Sequence, residues 1–432
     1  MSDKIYGLLG RTLGHSFSPP IHHALGNPAY ALYPMEPEAL EAFIKQENMG
    51  GLNVTIPYKR TVLPYADVIS DEVQEIGATN CLVNRDGTIT AYNTDMFGFM
   101  YMLQSAGISV SGKNCLILGT GGASVAILAA LKRCGASHVV FLSRSEHSTV
   151  SEADSADGSG VAYETVVTYD TYENVSSYYD FDVIVNCTPV GMYPNVGVSP
   201  LSLDGFTQLS GVADIVYNPL RTALIMDAEE RGIPVATGLS MLVAQAKVAH
   251  EKFFDCSVED QLMASITSGL RAEAENIVLC GMPGSGKTSV AEALGALTGR
   301  EVIDIDAEIV KTAGKSIPDI MAEDGQEVFR QLETDEIVKF GKESGKILSL
   351  GGGAVLFERN YRPLHQNGRI YWIRRDLGLL ATDGRPLSKS REALEQMWID
   401  RKPLYERFSD VCIHNDTTIA DAANAILADF NQ

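Results

Sequence analysis

Two stretches of this sequence carry residue types that handle phosphate. Gly281-Met282-Pro283-Gly284-Ser285-Gly286-Lys287-Thr288 follows the apolar run Asn276-Ile277-Val278-Leu279-Cys280 and precedes a helical pattern, with Ser289 counted among the nucleotide-binding residues. A strand, a glycine turn and a helix start aim several free backbone N–H groups at one point, which suits a phosphate. This is Walker A spacing: the backbone of Gly284, Ser285 and Gly286 surrounds a β-phosphate, Lys287 neutralises the β and γ oxygens, and the Thr288 hydroxyl reaches Mg²⁺, so ATP is expected. The other glycine turn, Gly119-Thr120-Gly121-Gly122-Ala123-Ser124, fits a dinucleotide, because its glycines allow the turn and let a pyrophosphate approach the helix start. After the following strand-like run stand Ser143, Arg144 and Ser145, where a site for NAD would offer a carboxylate to the ribose. A guanidinium between hydroxyls suits a 2′-phosphate, so NADP(H) is expected.

Upstream of the first turn lies a set of hydroxyls, amides, a lysine and a carboxylate. Ser16 and Ser18 are two apart, as are Asn53 and Thr55; Lys59 follows, then Asn80 and the run Asn93-Thr94-Asp95. Strand alternation puts residues two apart on one face, so Val54 and Ile56 are expected to turn the other way into a core. Such a cluster suits a small polyhydroxylated substrate, each of whose hydroxyls needs a partner once water is excluded. Hydride addition to a ketone creates an alkoxide, so a proton donor must stand beside that oxygen. Each piece also has a plainer reading: Ser and Asn form turns, and Asn93-Thr94-Asp95 is a helix-capping pattern.

In the second half, Asp304-Ile305-Asp306 reads as the end of a strand, with both carboxylates on one face and Ile303 and Ile305 on the other. Two like charges call for a metal on one and a substrate hydroxyl on the other. Arg330 and Glu333 are three apart on a helical pattern, so Glu333 can hold the guanidinium for a bidentate carboxylate contact. Gly351, Gly352 and Gly353 expose backbone.

The elements that must position these residues form an α/β protein. Between the two glycine turns, strand-like runs at Val139–Leu142, Asp182–Asn186 and Gly211–Tyr217 alternate with helical or polar stretches, the pattern of a parallel sheet. Residues 143–160 read as a solvated loop or irregular helix. Apolar periodicity lapses over residues 268–275, which places a linker at 269–275. The 432 residues are 45% hydrophobic and 21% charged, the proportions of a globular protein of two or three domains. A net charge of -21 repels polyanions, so neither nucleic acid nor an anionic membrane is an expected partner, whereas small anions can still bind where Arg and Lys cluster. The seven scattered cysteines lack a C-x-x-C pair and read mostly as small buried hydrophobes in a reducing cytoplasm. No stretch is long and apolar enough for a signal core or a membrane span. Oligomeric state is not legible.

Over residues 4 to 268 the chain resembles shikimate dehydrogenase. The resemblance rests on His15-Ser16-Phe17-Ser18-Pro19, Asn53-Val54-Thr55-Ile56-Pro57-Tyr58-Lys59, Ala78-Thr79-Asn80, Asn93-Thr94-Asp95, the turn at Gly119 to Ser124, Asn186-Cys187-Thr188-Pro189-Val190-Gly191-Met192 and Gly238-Leu239-Ser240-Met241-Leu242-Val243-Ala244-Gln245-Ala246, in that order. It implies that Lys59 and Asp95 are the catalytic pair. It further implies that Ser16, Ser18, Asn53, Thr55, Asn80, Tyr217 and Gln245 hold the substrate's hydroxyls and carboxylate, that Gly119, Gly121, Gly122, Ala123, Ser143, Arg144, Ser145 and Thr188 bind NADP, and that Gly238 and Met241 lie by the nicotinamide. Ser143-Arg144-Ser145 replaces the family's usual Asn-Arg-Thr, and Ser240 stands where a second glycine is common.

Over residues 276 to 432 the chain resembles shikimate kinase, through the phosphate loop, Asp304-Ile305-Asp306, Phe329-Arg330, Gly351-Gly352-Gly353, Arg385-Pro386-Leu387 and Arg401-Lys402-Pro403-Leu404-Tyr405. The resemblance implies that Asp304 joins Thr288 in the Mg²⁺ shell, that Asp306 takes shikimate hydroxyls and serves as base, that Arg330, Gly351, Gly352, Gly353 and Arg401 hold shikimate, and that Arg385 is a lid arginine stabilising charge on the transferring phosphoryl group. The lid is shorter than the family's, and Ala381 stands where an arginine near the adenine is usual. Together these imply a substrate-binding α/β domain (1–95 with 239–268), a Rossmann NADP domain (96–238) and a P-loop NTPase-type parallel α/β kinase domain (276–432). The expected activity is reduction of 3-dehydroshikimate followed by phosphorylation of shikimate. Two alternatives stay open: a quinate-type dehydrogenase joined to another small-molecule kinase, and a non-catalytic nucleotide sensor.

Overall fold

A computed structural model describes residues 4–14, 16–144, 165–380 and 391–431. His15, Ser145, most of the polar run after Ser143, and the lid residues Ala381 and Arg385 lie outside the described residues. The chain divides into two compact units. The first comprises Met1–Val190, Ser199–Tyr217 and Asp227–Thr267, and the second comprises Gly191–Val198, Asn218–Met226 and Ser268–Gln432. Among the described residues no helix is long and apolar enough to cross a membrane.

The first unit holds two sheets. Strands β1 (Ile5–Gly10), β2 (Tyr30–Pro34), β3 (Met49–Val54), β4 (Val68–Ile69), β5 (Cys81–Arg85) and β6 (Thr88–Tyr92) form one, in the order β2-β1-β3-β5-β6-β4. It is mixed, β5 running antiparallel to both β3 and β6. Every residue of β3 is buried, because helices cover the sheet. One cover is the helix Gly238–Phe254, whose Phe253 ring lies where a Cβ on Gly51 would fall, 2.2 Å away. Strands β7 (Asn114–Leu118), β8 (His138–Ser143), β9 (Val166–Thr171), β10 (Val183–Asn186), β11 (Gly211–Asp214) and β12 (Val235–Thr237) form the other, all parallel, in the order β12-β11-β10-β7-β8-β9. Its near-continuous Val, Ile and Leu runs are those of strands buried on both faces.

The second unit holds a five-stranded parallel sheet of β13 (Asn276–Cys280), β14 (Val302–Asp304), β15 (Ile347–Ser349), β16 (Gly368–Arg374) and β17 (Val411–His414), in the order β14-β15-β13-β16-β17. With β13 central and its neighbours crossing over, the phosphate loop leaves the sheet at a switch point, where ligands of open parallel sheets bind.

Three expectations are corrected. Residues 269–274 are the last turns of the helix Asp260–Ala274, not a linker; Met263, Ile266, Leu270 and Ala274 keep a buried apolar stripe at helical spacing that polar neighbours obscure. Ile56 is 73% exposed instead of core-facing, because β3 ends at Val54 and the amide of Tyr58 closes a turn onto the Thr55 carbonyl. Asp306 is not on a strand: Asp304 caps a helix, Ile305–Ala313, by accepting from the Ala307 amide, so alternation stops there. The reading of most cysteines as buried agrees with the structure: of the seven, all unpaired, Cys81, Cys115, Cys187 and Cys280 are buried, Cys134 is half-buried, and Cys256 and Cys412 are exposed.

Candidate active sites

In the first unit the polar residues at the ends of β3, β5 and β6 meet the helix Asp95–Ser105. Asn93 does cap that helix, its Oδ1 accepting from the amides of Asp95 and Met96 at 3.1 and 3.4 Å. The cap sets Asp95 at the positive end of the helix, which favours a carboxylate. Lys59 Nζ donates to Asp95 Oδ2 at 2.6 Å, and Asn80 Nδ2 donates to Asp95 Oδ1 at 2.8 Å. Asn80 is itself fixed, its Oδ1 accepting from the Thr94 amide at 2.7 Å. The lysine is thus held from behind with its ammonium facing a cavity of about 350 Å³.

That cavity collects Asn53 from β3, Thr55 and Asn80 from just beyond β3 and just before β5, Ser16 and Ser18 from the start of the helix Ser18–Ala24, Tyr217 from beyond β11 and Gln245 from the helix Gly238–Phe254. Asn53 is 4% exposed and oriented by Tyr30, whose hydroxyl donates to its Oδ1 at 2.8 Å. Gln245 Oε1 accepts from the Thr94 hydroxyl at 3.3 Å, tying the helix to the Asp95 cap. Burial pushes the Tyr217 hydroxyl above its usual range, so it stays a neutral donor. Gly238 and Met241 complete the wall. Gly238 is required by close approach, since a Cβ there would sit 2.1 Å from the Ile215 carbonyl oxygen.

The dinucleotide turn runs from β7 into the helix Ser124–Arg133. Gly119 has φ +90°, a left-handed value that favours glycine, and a Cβ on it would meet Thr188 Cγ2 at 2.6 Å. The Ser124 hydroxyl donates to the Gly121 carbonyl at 2.7 Å, closing the turn that contains Gly122 and Ala123. Thr188 is braced from within the sheet: its hydroxyl donates to Asn186 Oδ1 at 2.7 Å, and Asn186 Nδ2 donates to Asp214 Oδ1 at 3.0 Å, with both of these partners fully buried. The Gly119 amide bonds the Leu142 carbonyl at 2.8 Å, which brings the buried Ser143 and the exposed Arg144 alongside the turn.

In the second unit Gly281, Gly284 and Gly286 have φ of +149°, +86° and +92°, and the helix Lys287–Thr298 follows directly. Lys287 Nζ folds onto the carbonyls of Gly281 and Met282 at 2.9 and 3.1 Å. Thr288 Oγ1 donates to Asp304 Oδ2 at 3.1 Å, and this pair of oxygens suits a hard cation. Ser285 is fully buried, and Ser289 lies on the rim of the same cavity of about 630 Å³.

Opposite the loop, Arg330 and Glu333 are 4% and 0% exposed and paired at 2.7 Å. Arg330 Nε, Glu333 Oε1 and Asp306 Oδ1 are buried without a hydrogen-bond partner. Three buried polar atoms left open on one wall mark a ligand site, since each otherwise carries an uncompensated desolvation cost. The three glycines permit the crowding: a Cβ on Gly351 would fall 2.7 Å from Asp306 Oδ1, and one on Gly353 would fall 2.4 Å from Arg330 Nη2. Arg401 Nη1 and the Tyr405 hydroxyl both donate to the Gly352 carbonyl at 2.7 Å. Burial, then the nearby Asp304 charge, raises the Asp306 carboxyl, with Lys287 and Arg330 opposing.

Two polar residues of this site were not picked out in the sequence. Asn415, 2% exposed, holds the phosphate loop by donating to the Ser285 carbonyl at 2.7 Å, a long-range contact without a local signature. Arg375 also lines the cavity. Its signal was its place at the end of the apolar run Ile370–Ile373, the edge where parallel sheets bind ligands.

The state of Glu333 predicts a pH dependence. Burial raises its carboxyl to about 7, against the pull of Arg330. The folded chain therefore holds this proton to higher pH than the unfolded chain does, so stability is present below the ordinary carboxyl range and is lost as pH rises to about 7. Calorimetry without ligand is expected to find the unfolding transition that ATP shifts losing on the order of 1 kcal/mol across this window. Glu333→Gln should flatten the loss, and equal slopes in both proteins would refute the assignment.

Residues 8–82 match the family model described as the shikimate dehydrogenase substrate binding domain, and residues 283–431 match the one described as shikimate kinase. Shikimate dehydrogenase (NADP(+)) of Caldanaerobacter subterraneus subsp. tengcongensis is 36% identical over 265 residues, covering 58% of this chain and 93% of that protein. A chorismate mutase/shikimate 5-dehydrogenase fusion protein from Clostridium acetobutylicum superposes with a TM-score of 0.55 at 34% identity, over 62% of this chain and 96% of the other. Shikimate 5-dehydrogenase from Thermus thermophilus, solved in complex with NADP(H) and shikimate, gives 0.51 at 27% identity, over 61% and 98%.

Proposed function

The chain belongs to the shikimate dehydrogenase family and carries a shikimate kinase domain at its C-terminus, and from that premise we propose that it reduces 3-dehydroshikimate to shikimate with NADPH and phosphorylates shikimate to shikimate 3-phosphate with ATP, in the cytoplasm. The reading is supported above all by two polar cavities: Lys59 and Asp95 share one with Gly238 and Met241, the residues expected beside the nicotinamide, and Arg330, Glu333 and Asp306 share one with Gly284, Gly286 and Lys287 of the phosphate loop.

In the first reaction NADPH, when bound, supplies the hydride. Lys59, held by Asp95, gives a proton to the ketone oxygen as it becomes an alkoxide, and the 2.6 Å pair keeps the ammonium in register with it. Ser16, Ser18, Asn53, Thr55, Asn80, Tyr217 and Gln245 bind the ring's hydroxyls and carboxylate, fixing which carbonyl faces Lys59. Arg144 binds the 2′-phosphate. Arg144→Ala is expected to raise the KM for NADPH about tenfold, the worth of one charge-assisted contact, and that for NADH far less. Equal changes for both cofactors would remove Arg144 from this role.

In the second reaction ATP, bound with Mg²⁺, supplies the phosphoryl group. Thr288 and Asp304 hold the metal, and the loop amides with Lys287 hold the phosphates. Asp306 takes the proton of the attacking hydroxyl, a role that suits a carboxyl raised by burial. Arg330, braced by Glu333, and Arg401 bind the shikimate carboxylate, and Arg385 steadies charge on the phosphoryl group in flight. The test is one assay on purified protein given 3-dehydroshikimate, NADPH, Mg²⁺ and ATP, following NADPH loss and ADP gain together. Both signals are expected, with ADP formation dependent on the first step. Turnover of quinate in preference to shikimate, or neither signal, would overturn the reading.

A further inference from the structure

We propose that Arg375 is a phosphate-binding residue of the second unit, contacting the nucleotide's phosphate oxygens; this rests on the kinase reading. Strand β16 runs parallel to β13 with Trp372 opposite Cys280. The Ile373 carbonyl oxygen stands against the start of the phosphate loop, 2.4 Å from where a Cβ on Gly281 would be. Two residues further on, Arg375 leaves the sheet beside that loop. It does so on the opposite flank of β13 from β15, which leads into Gly351 to Gly353. The neighbouring Arg374 goes elsewhere, its guanidinium lying over the rings of Trp372 and Trp398 at 5.8 and 5.4 Å.

The other cations lining this cavity are engaged. Lys287 is on the carbonyls of Gly281 and Met282, Arg330 is on Glu333, and Arg401 is on the Gly352 carbonyl. Arg375 makes no hydrogen bond or ion pair among the described residues, and its Nε is buried without a partner. A guanidinium N–H stripped of water and given no acceptor is costly to keep, and a ligand anion would supply the acceptor. Two anions come to this cavity, the carboxylate of the acid and the phosphates of the nucleotide. The first is served by Arg330 and Arg401 on the β15 flank. The second passes along the loop that Arg375 adjoins, and an arginine's planar fork matches phosphate oxygens bidentately.

The experiment is calorimetric titration of ATP with Mg²⁺ into the full chain, unaltered and as Arg375→Ala and Arg375→Lys, followed by steady-state kinetics. Arg375→Ala is expected to weaken ATP binding about tenfold or more and to raise the KM for ATP in parallel, leaving the KM for shikimate unchanged. Arg375→Lys should recover part of the loss, since it keeps the charge and loses the fork. Equal ATP affinity in the alanine variant and the unaltered chain overturns the proposal. So does a joint loss of ATP and shikimate affinity with an altered circular dichroism spectrum, which marks a packing role. Unaltered chain that binds ATP yet forms no phosphate ester of shikimate overturns the kinase reading instead, and the role of Arg375 is then still read from binding.

Discussion

Lys59→Ala is expected to lower the turnover of 3-dehydroshikimate by on the order of 10² to 10⁴, the usual worth of a positioned proton donor. The side chain is committed to one place by the 2.6 Å contact with Asp95, whose other oxygen is taken by Asn80. No other lysine among the described residues lines that cavity, and the hydroxyl that does so at Tyr217 is kept neutral by burial, a far weaker acid than an ammonium held by a carboxylate. The loss should fall on kcat, because the proton moves only as the alkoxide forms. NADPH affinity, set by a separate turn, should persist, and so should ADP production from added shikimate. Stopped-flow oxidation of NADPH beside a coupled ADP assay measures both. A variant that keeps a tenth of its dehydrogenase rate, or loses both activities, would refute the assignment of Lys59.

Lys287→Ala should do the reverse, lowering kcat/KM for phosphorylation of shikimate by on the order of 10² to 10³, as for loss of one preorganised donor to a charge-bearing transition state. Lys287 is 9% exposed and starts the helix behind the loop, with its amine resting on the Gly281 and Met282 carbonyls until a phosphate replaces them. Removing it leaves the loop amides in place, so ATP still binds, more weakly, while the transferring group loses its cation. Dehydrogenase turnover serves as the internal control. Unchanged kinase turnover would exclude Lys287 from the phosphate site.

Much of both sites was legible because their parts are local. A strand, a glycine turn and a helix are contiguous in sequence, so the loops at Gly119 and Gly281 could be read directly, and the Arg330–Glu333 pair follows from helical spacing. Reading failed where a local rule was carried past the end of its element. Alternation was extended to Ile56 and to Asp306, but a turn begins at Thr55 and a helix cap stands at Asp304. Either reading of Asn93-Thr94-Asp95 was half the answer, since Asn93 caps the helix and the cap delivers Asp95 to Lys59.

By itself the sequence determined which chemical groups are present, their order along the chain and the phosphate-facing shape of the two glycine turns, because those depend on bonds between near neighbours. Tertiary structure alone decided which distant groups meet: Lys59 with Asp95, Gln245 with Thr94, Asn415 with Ser285, and Asp306 with the Gly351 backbone. It also decided which polar atoms are left buried and open, at Arg330, Glu333, Asp306 and Arg375. Burial and the lack of a partner are sums over every neighbouring element, and no window along the chain contains them.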